Sequence, residues 1–389
     1  MLRVPKPDWF VKVRSKQDAL LKAQREQFLQ AERGPFMISF DATRLHQDST
    51  LALGCFDRDN EYLVLGMRKV EAKSGRELAA VMMAMIDEHQ GLRPKVRTLM
   101  TDRAPAQVLA NQMVVDMINR DRAPEDHCII VSCLMHTTLN ADKRSNKKLS
   151  SDAQTVQNGL KMVFGTRKQD VWRKHSLSGK LKEKVGVVEF VTDIGSRYKV
   201  AEQNGKALIM RENEVEEVLR EHGSTKVHRR LMALMDDDEA WPRLRLELQI
   251  PVIIWHCVLD DFHSTISKKL CYGSMKEAFT KALRQIDDIK RARSPFDRAL
   301  AIAQMRSHGE DSLTHQALAL IRPLWEHATQ NSPAIARFIE SSFQLAFEEV
   351  HSKFDKDYRL MKDLPMADNT VLWWTNRRIV SHFNITRSR

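Results

Sequence analysis

Two aspartates stand where a carboxylate can do chemistry. Asp41 directly follows the apolar run MISF, and Asp102 directly follows VRTLMT. A lone aspartate at the end of a strand is usually a turn residue or a helix cap. Two of them, ending the first and fourth strands of one sheet, admit another use when those strands are neighbours. Their carboxylates then meet at one end of the sheet and suit a hard divalent cation. Metal-assisted phosphodiester chemistry uses two or three carboxylates to hold two cations about 4 Å apart. Asp102 is also placed to cap the helix after it, and the two roles are compatible.

Three further groups are candidates. Cys133-Leu134-Met135-His136 is a C-x-x-H with the spacing of half a zinc site. Completing it takes two more ligands, for which His256 and His263, seven positions apart, are the candidates. With no second cysteine pair, zinc is not expected, and a buried Cys133 with a satisfied His136 is the plainer reading. Arg197-Tyr198 sets an aromatic ring beside a cation, a pair that can stack on an unpaired base. Trp373-Trp374 reads as a packing or docking anchor.

Charge adds a fourth feature. From Asp142 to Lys184 there are twelve Lys and Arg against four Asp and Glu, most of the chain's net +11. Lys147, Lys148, Arg167, Lys168, Arg173 and Lys174 are its densest part. Such a run is either a solvated face or a surface that binds phosphates and releases their counterions. Its place directly after the carboxylate-bearing stretch favours phosphates.

The elements that must position these groups are readable. Met37–Phe40, Leu51–Phe56 and Tyr62–Val70 are short apolar runs separated by polar turns, an antiparallel meander. Ser74 and Glu77 have capping-box spacing before a helix. VRTLM, a helix over Gln107–Arg120 and the strand CIIVSC follow. The order βββαβαβ makes an α/β fold, a mixed sheet flanked by helices, as in ribonuclease H-like folds. A charged helix with Leu20, Leu21, Phe28 and Leu29 on one side precedes it, and a short strand over Val187–Val191 is expected after it. From about Ala201 onward nearly everything suits helix, with breakers such as Gly223, Pro242, Gly273 and Pro295. The expected organisation is a helical segment over 1–35, the α/β core over 36–200 and an all-helical region over 201–389.

Composition excludes several classes. No apolar run approaches the roughly 20 residues of a membrane span, so no membrane partner is expected. The N-terminal stretch lacks a secretory h-region. Five scattered cysteines suit a reducing compartment without a disulfide framework. A nuclear or cytoplasmic, non-secreted protein is the expectation.

SFDATR, LMTDRAPAQVLAN, CLMHTTLNADK and GSRYKVAEQNG occur in that order. They resemble the blocks of the hAT-type DDE transposases from about Pro35 to Leu208, and more weakly through AWPRLRLELQIPVIIWHCVLDDFHSTISK. The resemblance implies a ribonuclease H-like fold, nuclear DNA as partner, Mg2+ or Mn2+ as cofactor, and DNA cleavage and strand transfer. Position by position it makes Asp41 and Asp102 the catalytic, metal-holding aspartates and Cys133 and His136 the C-x-x-H. Arg197-Tyr198 stands where Arg-Trp is usual. A homo-oligomer is a further expected partner.

Two departures accompany the resemblance. The family's N-terminal zinc-finger DNA-recognition domain has no counterpart, and no motif places the third carboxylate. Glu340, Glu348 and Glu349 are the late-helix candidates, and Glu349 is taken as catalytic. ESSFQLAFEEVHSKFDKDY also resembles the family's insertion helices; on that reading the chain ends before the catalytic glutamate and is a truncated or domesticated copy. The rival readings are a catalytically inactive DNA-binding or interaction protein that keeps the fold, and another ribonuclease H-like nuclease.

Overall fold

The computed structural model describes residues 19–29, 34–45, 48–57, 59, 61–71, 74–101, 105–165, 173–186, 190–191, 199–307 and 313–373. The chain forms two compact units. One comprises Met1–His136, Ile266–Met275 and Met361–Arg389, and the other Thr137–Thr265 and Lys276–Leu360. The first division therefore falls after His136, where the sequence suggested a boundary near residue 200.

The first unit is built on a five-stranded mixed sheet of β1 (Phe36–Leu45), β2 (Asp48–Phe56), β3 (Tyr62–Lys69), β4 (Val96–Thr101) and β5 (Ile129–Ser132), ordered β3-β2-β1-β4-β5. β1 pairs antiparallel with β2, and β2 with β3. β1 and β4 are parallel, as are β4 and β5. Alternation in β1 sends Phe36, Ile38 and Phe40 into one apolar cluster. Helices α2 (Gly75–Asp87) and α3 (Pro105–Asn119) supply Met82, Ile86, Val114 and Ile118 to the same cluster. The expected capping box is present: Glu77 N–H donates to Ser74 Oγ at 3.2 Å, and Ser74 N–H to Glu77 Oε2 at 3.1 Å. Helix α1 (residues 19–29) adds only its last turn, since Phe28 and Leu29 are buried while Leu20 and Leu21 are exposed.

Asn111 is a local conflict in this core. It is fully buried on α3, and among the described residues neither its Nδ2 nor its Oδ1 has a hydrogen-bond partner. A buried unsatisfied amide costs about 1–3 kcal/mol. Asn111→Leu is therefore expected to stabilise the protein by about 1 kcal/mol or more in chemical denaturation. A loss of stability instead would reveal an unseen partner, such as an internal water.

A second sheet, of β6 (Lys269–Cys271) and β7 (Val371–Trp373), joins segments a hundred residues apart. The hydroxyl of Tyr272 ties them further, donating to the Met361 carbonyl at 2.7 Å and accepting from Leu364 N–H at 3.0 Å.

The second unit is helical. In order it draws on α4 (Met135–Asn146), α5 (Ser151–Phe164), α6 (Ser178–Val185), α7 (Val200–His222), α8 (Lys226–Met235), α9 (Ala240–Glu247) and α10 (Ile250–Ile254). A π-helical turn over Trp255–Leu259 follows. Then come α11 (Asp260–Ile266), α12 (Tyr272–Lys290), α13 (Pro295–Arg306), α14 (Leu313–Asn331) and α15 (Pro333–Met361). Leu, Phe and Trp at helical spacing fill the interior. Phe262 lies 4.8 Å, centroid to centroid, from both Phe279 and Phe354, and Phe296 lies 4.5 Å from Trp325. Gly205 on α7 allows a close backbone approach, because a Cβ there would stand 2.7 Å from the Leu248 carbonyl oxygen. No helix among the described residues is long and apolar enough to cross a membrane.

Candidate functional site

Asp41 does not end its strand as expected: β1 runs on to Leu45, because the residues after Asp41 still pair with β2, and Asp41 lies within it, opposite Ala52 of β2, and is buried. On its other side β1 runs parallel to β4, with Ser39 opposite Met100. Each aspartate comes two residues after that pair in its own strand direction. Asp102 itself lies outside the described residues, as do Arg167, Lys168, Arg197 and Tyr198, and so does most of the expected Val187–Val191 strand. A buried side chain secures the ground beside Asp41: Gln107, in the first turn of α3, donates from Nε2 to the Phe40 carbonyl at 3.0 Å. The helix that follows Asp102 in sequence is thereby fastened to the residue preceding Asp41.

The C-x-x-H block is a strand-to-helix turn. Cys133 is buried just after β5, and His136 N–H donates to the Cys133 carbonyl at 3.1 Å. His256 and His263, the proposed completing pair, contact different partners. His256 Nε2 meets Glu202 Oε1 at 2.7 Å, and His263 Nδ1 lies 3.5 Å from the Thr138 hydroxyl. The π turn that contains His256 spoils the seven-residue phase that would align them on an ordinary helix. Among the described residues no three His, Cys, Asp or Glu side chains gather as a metal-binding group.

The late-helix acids all lie on α15 in the second unit, and each has a local partner there. Glu340 accepts from the Ser294 hydroxyl and, at 3.1 Å, from Phe296 N–H, bracing the start of α13. Burial raises its carboxyl above the usual range. Glu348 pairs with Lys290 at 2.8 Å. Glu349 pairs with Lys148 at 3.1 Å, so one residue expected in catalysis holds another expected to bind DNA. A fourth acid on this helix, Asp357, is wholly buried and accepts from the Thr137 hydroxyl at 2.6 Å.

Among the described residues, the cations of the basic segment fall on separate elements. Lys143, Arg144 and Lys147 are exposed near the end of α4. On α6, Lys180 pairs with Glu183 at 2.9 Å and Lys184 with Glu217. Arg173 and Lys174 are exposed and lead directly into His175. The ring of His175 reaches the Thr225 hydroxyl at 3.1 Å.

The second unit also buries a cluster of titratable groups that the sequence did not announce. Glu202 is fully buried; its Oε1 takes hydrogen bonds from His256 and, at 2.6 Å, from Lys206. Burial pushes its carboxyl up, but the hydrogen bond from His256 and the charge of Lys206 outweigh that and leave it below the usual range. Asp142 on α4 is the opposite case. Burial, with the charge of Glu202 adding, pushes it to about 7 against the hydrogen bond from Asn146 and the charges of Lys143 and Lys161.

No family model matches this chain, and a search of curated proteins finds no relative.

Proposed function

We propose that this chain is a hAT-like transposase or a protein derived from one, with a ribonuclease H-like core, whose partner is DNA. The observation that carries the reading is the strand order around Asp41. β1 lies between an antiparallel β2 and a parallel β4, and β4 is followed at once by the second aspartate. Asp41 and Asp102 are the residues that would hold Mg2+ or Mn2+. When bound there, the ion supplies Lewis-acid activation of water or a 3′-hydroxyl. The protein's own part is to bury Asp41 and to brace its strand through Gln107.

The second reading is a DNA-binding protein that keeps the fold without the reaction. The engagement of Glu340, Glu348 and Glu349 with partners inside the helical unit favours it. Nicking of supercoiled plasmid with Mn2+ separates the two. If the enzyme reading holds, Asp41→Asn and Asp102→Asn each lower nicking by more than about 100-fold, beyond the roughly 10–100-fold that loss of an outer-shell metal partner costs. A parent protein that binds DNA but leaves the plasmid intact establishes the second reading.

A further inference from the structure

Three cations crowd the start of α8: Lys226, Arg229 and Arg230. All three are exposed, and among the described residues no carboxylate pairs with any of them. Helix stability does not explain them, because the helix dipole disfavours positive charge in a first turn. Nearby acids are otherwise engaged. Asp236 pairs with Arg220, Asp237 caps the start of α9, and Asp152 lies 3.6 Å from Arg243.

The fold holds a second basic stretch against the first. His228 of α8 is buried, and its Nδ1 accepts from Ser224 N–H at 3.0 Å and Thr225 N–H at 3.3 Å. The proton is therefore on Nε2, which donates to the His175 carbonyl at 2.8 Å. This joint brings His175, which directly follows Arg173 and Lys174, onto the start of α8.

A groove of about 190 Å³ runs along the same surface between α5 and α8. Its floor is apolar, with Met162, Val227 and Leu231, and its polar groups are Thr155, Asn158 and Arg230. Arg230 touches Thr155 Oγ1 only at 3.4 Å, which leaves most of its donor fork open. Pockets for drug-sized ligands run from about 300 to 1,000 Å³, so this groove suits a smaller group. A planar guanidinium fork beside a hydroxyl and an amide suits a phosphate, and the apolar floor suits the sugar next to it.

We infer that the α5–α8 groove, with Arg230 in its wall and Lys226 on the same face of α8, seats the sugar-phosphate backbone of a nucleic acid. The inference rests on the DNA-binding reading above and relocates its main contact surface. An acidic protein segment is the competing occupant. The apolar groove floor favours nucleic acid, since an acidic segment needs only the charges.

The test is titration of the full chain against a fluorescent 24-base-pair duplex of arbitrary sequence from 50 to 200 mM salt. Lys226 and Arg230 are changed together to Glu, and in a second variant to Ala. An equal charge change at Arg284 and Arg291, exposed elsewhere in the second unit, controls for overall field. The expected result is at least tenfold weaker binding for both α8 variants at 50 mM salt. The slope of log affinity against log salt should shallow by about 2, near 0.9 per lost phosphate contact. The control pair should change less than threefold. Parental binding by both α8 variants would overturn the groove while leaving DNA binding intact. A parent that does not bind the duplex would overturn both. Polyglutamate that binds the parent more tightly than DNA does, with that binding lost in the α8 variants, would overturn the inference in favour of an acidic protein.

Discussion

Replacing Asp357 by alanine is expected to cost about 3–5 kcal/mol of stability. Its carboxylate is fully buried on α15. Both of its oxygens lie 2.7 Å from Lys353 Nζ, and one also accepts the Thr137 hydroxyl at 2.6 Å. Lys353 is itself buried. Removing the acid takes its ion-pair partner from a buried ammonium and leaves the Thr137 hydroxyl without this acceptor. Removing both charges is a different experiment, because an apolar pair of similar volume is often neutral or better than a buried ion pair. The double variant Lys353→Met with Asp357→Leu should therefore recover most of the loss. For a unit of this size each kcal/mol moves the melting temperature by about 2–4 °C, so the single variant should melt roughly 10 °C lower. Thermal melts of the parent, single and double variants decide the matter. A single variant within about 2 °C of the parent would mean that the pair is solvated and is not a core element.

Much of the first unit was legible because its signals are local. Alternation in MISF and its neighbours, polar turns between short apolar runs, and the Ser74–Glu77 pair each act within a few residues. β1 and β2 extend beyond the apolar runs, from Phe36 to Leu45 and from Asp48 to Phe56, because polar residues near the hairpin still pair through backbone. The β6–β7 pair was not legible. Three residues show no period, and their partners lie a hundred positions away. The π turn was hidden for a related reason: WHCVL is as apolar as the helix around it, and its extra residue per turn appears only once the helix is packed.

The candidate site was legible where topology follows from order. Placing β1 beside β4 needed only the βββαβαβ order, and Asp41 went with its strand. The late-helix acids were not legible in this way. Glu340, Glu348 and Glu349 look alike in sequence, and what separates them is which helix each side chain meets: α13, α12 or the end of α4. Asp357 escaped notice because a charged residue among Lys353, Asp355 and Lys356 reads as solvated surface. The cations of α8 are too few to register as a charge run, and gain meaning only when His228 docks on His175.

Asp142→Asn is expected to remove a pH dependence that the parent carries between about pH 4 and pH 7. Asp142 is almost wholly buried, and its carboxyl is pushed from the usual aspartate value to about 7. Desolvation is the main cause, and the neighbouring charge of Glu202 adds to it. The folded state therefore holds this proton more tightly than the unfolded chain does. Its contribution to stability is complete below the unfolded value near 4. It drains away as pH rises toward 7, and above 7 the folded protein carries a buried carboxylate. Each pKa unit is worth 1.36 kcal/mol, so a rise of this size places about 2–4 kcal/mol at stake. Asparagine has nearly the same shape, never ionises, and keeps an oxygen for the Asn146 amide that donates to Asp142 at 3.2 Å. At pH 8 the variant should exceed the parent by that margin, and at pH 4 the two should nearly coincide. Urea titrations of both proteins at four or five pH values across that range measure the difference directly. A difference that stays flat with pH would show that water reaches Asp142 and that the carboxyl titrates normally. A difference that grows toward acid would mean that its charged form is the one the fold stabilises, through Lys161 and Lys143.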